Sequence, residues 1–320
     1  MKRKEIAVIS ALILLFATTF SLTGCSKAPG PSDQPAKTPE STELPANAPE
    51  FAIDPQFDEA GDFTDGLARI SVGNKWGFIN KTGAHVTGPK TDATPTEDPE
   101  DLPSEGMTRV RISADTGSEM GNPYDAGYRY GYIDETGKSV IEPHFYNAGH
   151  FSEGLAPVCT GEKWGYIDRT GAVVITPSFY WADEFSDGMA VVTTEEGGSG
   201  WSYIDRTGTL IIDPYKYEEV QKFSEGLAAV SPGHGKWGYI DKKGAPVISP
   251  SYRAAGDFSE GLAWVAVDNM CGFIDKTGAY VIQPVYEGAR GFSEGLAAVR
   301  FNGKWGYIKN PLKSSLSGTK

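Results

Sequence analysis

Lys236-Trp237-Gly238-Tyr239-Ile240-Asp241 and Lys304-Trp305-Gly306-Tyr307-Ile308 are the two clearest copies of a motif that recurs seven times along the chain. Each copy follows a Gly-Leu-Ala-x-Val stretch and precedes a Thr-Gly turn and Val-Ile-x-Pro, so that one unit spans about 34 residues. Tandem units of this length are typical of solenoids, propellers and arrays, in which no unit buries its apolar face alone. The repeat therefore decides the fold.

Each unit is predicted to contain a tight hairpin. In the last unit, Asn302-Gly303 lies between two apolar stretches and predicts a two-residue turn. Counting outward from this turn pairs Arg300 with Trp305 and Ala298 with Tyr307. The pairing places apolar side chains on both faces of the strand pair. Such a pair must lie between neighbouring sheets, and we expect a neighbouring sheet to approach closely at the recurring glycine.

A second turn recurs as Asp-x-Thr-Gly, for example from Asp168 to Gly171, and suits a type I turn closed by a left-handed glycine. A third strand such as Tyr280-Val281-Ile282 follows, and Pro284 ends it. The next segment, Val285 to Phe292, fits either a fourth, edge strand or an ordered connection. The pattern predicts an all-β fold of about seven units, each with three to four short antiparallel strands.

The Trp-Gly core, the Asp-x-Thr-Gly turn and the Phe-Ser-Glu-Gly-Leu-Ala stretch together resemble the WG-repeat family of bacterial proteins, over residues 51–311. The resemblance implies a binding or scaffolding module and no single activity. Several units depart from the pattern: Tyr130 and Cys271 replace the tryptophan, Ser202 replaces the glycine, and Asn80 and Lys309 replace the turn aspartate.

The phase of the repeats bears on whether the array closes. Phe51 to Phe57 matches the third strand at Val281 to Tyr286, and the last unit ends just after its Trp305 strand. The first segment can therefore complete the last sheet, as ring closure requires. A closed, seven-bladed, propeller-like ring is favoured. An open twisted β-repeat array is the alternative, because about 34 residues is short for a four-stranded blade.

The N-terminal segment indicates export and anchoring. Lys2, Arg3 and Lys4 precede an apolar run that ends in Leu22-Thr23-Gly24-Cys25, which is the pattern of a secretory signal. The tetrad resembles the lipobox of bacterial lipoproteins, which implies cleavage after residue 24 and lipid on the sulfur of Cys25. A transmembrane anchor is the alternative, but the run is at the lower limit for crossing a bilayer. We expect a lipid-anchored protein on the extracytoplasmic face of the cell membrane.

Composition divides the chain into a signal peptide (1–24), a lipidated cysteine with a disordered Pro-rich tether (25–50), the repeat domain (51–311) and a flexible tail (312–320). The net charge of −13 opposes nucleic acid or anionic lipid as a partner. Cys159 and Cys271 lie three repeats apart, so we expect buried thiols rather than a disulfide.

Two rows of carboxylates recur, one before a glycine and one at the second turn. The first row is Asp65, Glu105, Glu153, Asp187, Glu225, Glu260 and Glu294, and the second is Asp134, Asp168, Asp205, Asp241 and Asp275. In a closed ring either row would form an acidic ring able to hold cations. Hydrogen bonding to local backbone amides is the stronger interpretation. We therefore expect no metal site and no cofactor.

No catalytic residue is predicted. His85, His144, His150 and His234 lack the paired spacing of metal ligands or a general base, and no nucleophile elbow or phosphate loop occurs. The tryptophans recur within strands and are predicted to be core side chains rather than sugar-stacking platforms. This core set is Trp76, Trp164, Trp201, Trp237, Trp264 and Trp305, where Trp264 is expected to oppose Phe273 and compensate for Cys271.

Unit 2 departs most from the repeat and is the predicted binding region. It carries two insertions, Thr87 to Pro103 and Ser113 to Arg129, and long loops on a rigid scaffold often bind partners. The candidate partner-binding residues are Met120, Tyr124, Tyr128 and Tyr130. A tolerated insertion without a function is the alternative.

The sequence thus predicts a noncatalytic, surface-anchored binding or scaffold module for a protein or a cell-envelope glycan. Its membrane contact is the lipid on Cys25. One alternative is an accessory or sensor lipoprotein of an envelope complex. The other is a propeller-type hydrolase that uses an acidic ring.

Overall fold

The computed structural model contains seven small antiparallel sheets, one for each repeat, and each has three or four strands. It describes residues 44–45, 48–73, 75–90, 104–113, 127–198, 200–213 and 215–314. In chain order the elements are β1 (Phe51–Phe57), β2 (Glu59–Thr64), β3 (Leu67–Val72), β4 (Lys75–Asn80), β5 (His85–Lys90), β6 (Met107–Ser113), β7 (Tyr128–Asp134), β8 (Ser139–Phe145), β9 (Asn147–Ala148), β10 (Leu155–Cys159), β11 (Trp164–Asp168), β12 (Val173–Phe179), β13 (Trp181–Ala182), β14 (Met189–Thr193), β15 (Trp201–Asp205), β16 (Glu219–Val220), β17 (Leu227–Ser231), β18 (Trp237–Asp241), β19 (Pro246–Tyr252), β20 (Ala254–Ala255), β21 (Ala263–Val267), β22 (Met270–Ile274), β23 (Tyr280–Tyr286), β24 (Gly288–Ala289), β25 (Leu296–Phe301), β26 (Lys304–Lys309) and α1 (Pro311–Ser314).

Each sheet consists of strands that are consecutive in the chain, except that β1 joins the last sheet, and the sheets are numbered as units in chain order. Unit 1 holds β2 to β5, unit 2 β6 to β8, unit 3 β9 to β12, unit 4 β13 to β15, unit 5 β16 to β19, unit 6 β20 to β23, and unit 7 β24 to β26 with β1. The segment that the sequence left open is a strand: Asn147–Ala148, for example, pairs with the end of β10. The predicted all-β architecture of about seven repeated sheets is confirmed.

The predicted hairpin register is also confirmed. Arg300 pairs with Trp305 and Ala298 with Tyr307. Asn302 and Gly303 both have positive φ, at 51° and 74°, as a primed two-residue turn requires.

The recurring glycine of the third strand is required by the fourth strand of its own sheet. A Cβ built on Gly165 would lie 2.4 Å from the carbonyl oxygen of Ile175 and 2.6 Å from the nitrogen of Pro177. The register of β11 and β12 shifts here, so the fourth strand crosses the glycine at a bulge. The expectation that a neighbouring sheet approaches this glycine is therefore wrong.

Unit 4 illustrates the loss of this glycine. Ser202 occupies the position, and its hydroxyl donates a hydrogen bond to the carbonyl of Ile212 at 2.5 Å. Among the described residues of this unit no fourth strand pairs regularly, and one bridge joins Ile204 to Leu210. The serine side chain takes the space that the crossing strand needs.

The core consists of apolar clusters between successive units, and six such clusters occur among the described residues. Between units 3 and 4, the fully buried Tyr166 shares a cluster with Val192 and Ile204 of the next sheet. The sheets of units 3 to 7 each bury one face against the unit before and the other against the unit after, whereas the described residues of units 1 and 2 share no such cluster with each other. This arrangement confirms the prediction from the two apolar faces.

Two kinds of hydrogen bond repeat at these junctions. The tyrosine of the Trp-Gly-Tyr motif and the serine of Ser-Glu-Gly each donate a hydroxyl to a backbone carbonyl of the next unit, over 2.5–2.8 Å. The tyrosine bonds are Tyr132 to Gly149, Tyr166 to Asp183, Tyr203 to Gln221, Tyr239 to Gly256 and Tyr307 to Gly61. The serine bonds are Ser104 to Phe151, Ser152 to Phe185, Ser186 to Phe223, Ser224 to Phe258, Ser259 to Phe292 and Ser293 to Phe63.

The two ends of the array meet. β1 pairs with β26, so the first strand completes the sheet of unit 7, as its sequence match predicted. Tyr307 and Ser293 then donate to unit 1 in the same way as at the other junctions. The junction between units 1 and 2 differs: Phe78 is 40% exposed, whereas the equivalent Tyr166 is fully buried. The predicted insertion from Thr87 to Pro103 begins inside β5 of unit 1 rather than in unit 2. Its residues 91–103 lie outside the described residues.

Beyond the last strand, Pro311–Ser314 form a helical turn. Residues 315–320 of the predicted flexible tail lie outside the described residues. The ammonium of Lys313 lies 2.7 Å from the carboxylate of Glu260, and the Asn310 amide donates to the Glu260 carbonyl at 3.0 Å. These contacts hold the turn against unit 6. In the described part of the chain, no helix has the length and apolar character that a membrane crossing requires.

We predict that Tyr239→Phe lowers the free energy of unfolding by about 1 kcal/mol, because the ring stays packed but the Gly256 carbonyl loses its donor. Denaturant melts measure the change. Tyr280→Phe is the control, since this ring is 37% exposed and its hydroxyl has no hydrogen-bond partner among the described residues. Equal effects of the two substitutions would contradict a role for the junction bond.

Candidate functional site

The predicted core tryptophans lie at the edges of the clusters. Trp305 is 7% exposed, while Trp76, Trp164, Trp201, Trp237 and Trp264 are half-buried. The fully buried centre is instead the tyrosine two positions later, such as Tyr239. Trp264 pairs with Phe273 as predicted, and its indole lies against Gly256, which directly follows β20.

The aspartates of the second turn have a local role, as predicted. One carboxylate oxygen of Asp168 accepts from the amide of Thr170 at 2.8 Å, from its hydroxyl at 2.6 Å and from the amide of Ala172 at 3.1 Å. The hydroxyl hydrogen bond from Thr170, followed by these amides, lowers the pKa of Asp168. Asp134, Asp205 and Asp275 repeat the arrangement.

The carboxylates of the other row do not bond locally, which corrects the prediction. Glu260 accepts from the amide of Gly295 in the next unit, at 3.0 Å from both oxygens. The other pairs are Glu105 with Gly154, Glu153 with Gly188, Asp187 with Gly226, Glu225 with Gly261 and Glu294 with Gly66. The row is a third set of junction bonds.

Basic side chains neutralise most of this row. Lys81 lies 2.7 Å from Glu294, Lys242 2.6 Å from Asp187 and Lys276 3.2 Å from Glu225. Arg206 and Lys313 similarly lie beside Glu153 and Glu260. The row is therefore a belt of mixed charge rather than an acidic ring. No cluster of His, Cys, Asp and Glu suited to a metal occurs among the residues that the structure describes.

A second charged set was missed by the sequence analysis. It occupies the two positions that precede the phenylalanine of each Phe-Ser-Glu-Gly stretch, where residue types differ between units. Its members are Asp62, Asp183, Glu184, Lys222, Asp257 and Arg290. From unit 4 through unit 7 to unit 1 the sign alternates from one unit to the next, and this alternation over two repeat positions was the available signal.

Burial sets the electrostatics of this charged set. Desolvation raises the pKa of Asp257, and the nearby Lys222 ammonium partly opposes that rise. Desolvation also raises the pKa of Asp183, which lies close enough to Asp257 to affect its ionisation. One carboxylate oxygen of Asp257 is buried without a hydrogen-bond partner in the described structure. Burying the ionised carboxylate of Asp257 therefore lowers the stability of the folded protein.

A different surface forms beside the hairpins of units 2 to 4. The Arg111 guanidinium lies 4.9 Å from the ring centroid of Tyr128, that of Arg129 lies 4.0 Å from Tyr146, and the Lys163 ammonium lies 2.8 Å from Tyr180. The next residue, Trp181, packs edge-to-face on Trp201 with 5.6 Å between ring centroids. We call these eight residues the aromatic–basic arc: Arg111, Tyr128, Arg129, Tyr146, Lys163, Tyr180, Trp181 and Trp201.

The arc exists because aromatic side chains replace charged ones. Tyr146 and Tyr180 hold a repeat position whose amide donates to the end of the second strand. Other units have Asp58, Glu218, Arg253 and Glu287 there. Among the predicted binding residues, Tyr128 is 40% exposed and belongs to the arc, whereas Tyr130 is half-buried against the core of units 2 and 3. Met120, Tyr124 and Cys25 lie outside the described residues.

The repeated sheets and their junction bonds define a propeller-like β-repeat protein. The family model for the WG containing repeat matches residues 49–76, 130–164, 164–196, 201–231, 237–271 and 272–305. These matches cover more than half of the chain, so it belongs to the WG-repeat family. No curated protein matches the chain in sequence.

Solved structures with similar folds share little sequence with the chain. The extracellular domain of BT4673 from B. thetaiotaomicron has 13% identity and a TM-score of 0.39, covering 79% of this chain and 40% of that one. BamB from Moraxella catarrhalis has 12% identity and a TM-score of 0.38, covering 78% and 81%. The WD40 propeller domain of Doa1 has 11% identity and a TM-score of 0.34, covering 82% and 95%. This chain thus spans less than half of the BT4673 chain, and such distant likeness says nothing of ligand or activity.

We predict that Asp257→Asn stabilises the protein at pH 7. The folded-state pKa of Asp257 is raised, so its ionised form costs stability at neutral pH, and this cost disappears as the pH falls below the ordinary aspartate value of about 4. The variant should melt at a higher temperature than the parent at pH 7 and at the same temperature near pH 3.

Asp168→Asn is the matched control with the opposite sign. The pKa of Asp168 is lowered, so its ionised form favours folding at pH 7 and the substitution should lower the melting temperature there. Identical shifts for the two variants would contradict the assigned electrostatics.

Proposed function

We propose that this WG-repeat protein is a noncatalytic binding module, held at the extracytoplasmic face of the cell membrane by lipid on Cys25. The observation that carries the proposal is the aromatic–basic arc, because its exposed rings, Tyr128 and Trp181, belong to none of the clusters between units. Tyr, Trp and Arg are the residue types that dominate binding surfaces. A protein or a cell-envelope glycan is the expected partner.

Binding can be tested with purified cell-envelope fragments and the full chain in detergent. Replacing Tyr128 and Trp181 together by serine should abolish co-sedimentation with the fragments. Tyr280→Ser is the control, because this exposed ring lies in unit 6, away from the arc. Undiminished co-sedimentation of the double variant at an unchanged melting temperature would refute the arc as the binding surface.

The anchoring rests on the Leu22-Thr23-Gly24-Cys25 tetrad after its apolar run. Metabolic labelling with an alkyne fatty acid should tag the parent protein, and Cys25→Ser should remove both the tag and membrane retention. A Cys25→Ser variant that remains in the membrane fraction would favour the transmembrane alternative.

The carboxylates of the first row, which precede a glycine, pair with basic side chains and with backbone amides. This pairing disfavours the hydrolase alternative. A general acid or nucleophile needs a carboxylate that is available to substrate. The accessory or sensor role in an envelope complex stays compatible with a binding module.

We also propose that the seven units close into a ring. In units 1, 4, 5 and 6 the second residue of the turn is basic and pairs with the preceding carboxylate, as Lys242 does with Asp187 at 2.6 Å. Unit 2 has Glu135 at this position, and the preceding carboxylate is Asp65. If units 1 and 2 meet, these two carboxylates face each other.

We predict that Glu135→Lys raises the melting temperature, since a surface ion pair of up to about 1 kcal/mol would replace a repulsion. Lys242→Glu should lower it by a similar amount. A Glu135→Lys variant with an unchanged melting temperature, beside a destabilised Lys242→Glu variant, would indicate an open array.

A further inference from the structure

We propose that the end of the repeat domain that carries the Asp-x-Thr-Gly turns rests on the lipid bilayer through exposed aliphatic side chains. These side chains follow the second turn in units 1 to 5 and are 42–57% exposed. We call them the aliphatic rim, which consists of Val86, Val140, Val173, Val174, Leu210 and Val247. The inference rests on the proposed lipid anchor, and its surface is separate from the aromatic–basic arc.

The register places the aliphatic rim at the same level in neighbouring units. In unit 3, Val173 pairs with Ile167, and in unit 4, Leu210 bridges Ile204, which is the equivalent isoleucine. The valine directly before the buried isoleucine of the fourth strand is exposed in units 2, 3 and 5. The rim therefore recurs at one end of the strands, next to the turns.

The polarity of the exposed positions changes along the fourth strand. In units 3 and 5 the exposed residues directly before the buried isoleucine are Val174 and Val247. Directly after that isoleucine the exposed residues are Thr176 and Ser249. Single exposed apolar residues are ordinary, but a set that recurs at one level in neighbouring units marks an interaction surface. The apolar character is confined to the end of the strand beside the turn.

The bilayer is the assigned partner because the chain that leads to the lipid starts from the same end. Phe51 begins β1 and pairs with Ile308, so the chain enters unit 7 at the level of the rim. Leu44 packs against the cluster between units 6 and 7. Residues 26–43 link Leu44 to Cys25, and 18 residues reach at most about 65 Å. A lipid on Cys25 would thus keep the rim near the bilayer at a high effective concentration.

The chemistry of the rim fits the boundary between headgroups and acyl chains, where interfacial proteins bury apolar side chains. Charge decides which lipid suits this end of the domain. Basic side chains pair with most carboxylates of the first row beside these turns. The net charge of −13 nevertheless opposes anionic lipid. We therefore assign a bilayer with zwitterionic headgroups.

This orientation turns the aromatic–basic arc away from the bilayer. In unit 3, β11 runs from the hairpin that carries Lys163 to the turn that precedes Val173. Five residues of a strand span roughly 17 Å. The rim and the arc therefore lie at opposite ends of this unit, and contact of the rim with lipid leaves the arc open to a partner outside the membrane.

The test is fluorescence quenching of the full lipidated chain in phosphatidylcholine vesicles that contain a spin-labelled lipid. A bimane label is attached at Val174→Cys or, on the hairpin of the same unit, at Thr160→Cys. Cys159 and Cys271 are buried and should not react with the label. We expect the quenching to be about threefold stronger at position 174 than at position 160, because only the rim enters the lipid boundary. Equal quenching at the two positions would overturn the inference.

Charged substitutions test the contact itself. With the label at Val140→Cys, combined Val174→Asp and Val247→Asp should lower the quenching to that at position 160, because a carboxylate resists transfer into lipid. Val72→Asp is the matched control, since this valine is also exposed but lies beside the hairpin of unit 1. It should leave the quenching unchanged. Undiminished quenching in the double variant, at an unchanged melting temperature, would refute the rim.

A second copy of the chain is the competing occupant of the rim. Equal quenching at the two labelled positions, in a chain that is dimeric in detergent and monomeric as the double variant, would assign the rim to a protein interface instead.

The rim and the anchor fail separately. Absence of rim quenching in a chain that carries lipid on Cys25 refutes the rim and leaves the anchor standing. Rim quenching in a chain without that lipid refutes the anchor and leaves the bilayer contact standing.

Discussion

The fold depends on one contact, which is the insertion of an aromatic ring from one unit into the face of the next, and in five of the seven units this ring is a tyrosine. The ring fills the cluster between two sheets, and its hydroxyl satisfies a backbone carbonyl that the second sheet would otherwise bury unpaired. A four-stranded sheet of this size has two apolar faces and too small a core to be stable alone. Stability therefore resides in the junctions, and the strands serve to present the rings.

Because stability resides in the junctions between units, local elements could be predicted from the sequence, whereas elements that depend on a neighbouring strand or unit could not. The hairpin around Asn302-Gly303 is local, so its register could be counted from the turn. The two-residue first strands are too short for any period, and the crossing of Gly165 by the fourth strand depends on a bulge that residue types do not specify. The junction role of Glu260 was missed because its partner lies one repeat away.

The residues of the candidate site also differ in whether the sequence alone could identify them. Tyr128 could be singled out because it borders an insertion, which is visible in one sequence. Tyr146 and Tyr180 belong to different units, and only the packing of one sheet on the next places each beside a cation from the preceding hairpin. Comparing one repeat position across units would have revealed them, since the other units carry charged residues there.

The first row of carboxylates, which precede a glycine in each unit, shows how strongly the junctions constrain the chain. Glu225 and its equivalents adopt a φ of about +50°, which costs an L-residue roughly 1 kcal/mol relative to glycine. Glycine at this position would relieve the strain, yet it could not reach the amide of Gly261 in the next unit. The strain is thus offset by a bond between units. Positions free of junction bonds, such as Trp181, carry no such constraint, and it is there that units 2 to 4 differ from the other units and carry the side chains of the aromatic–basic arc.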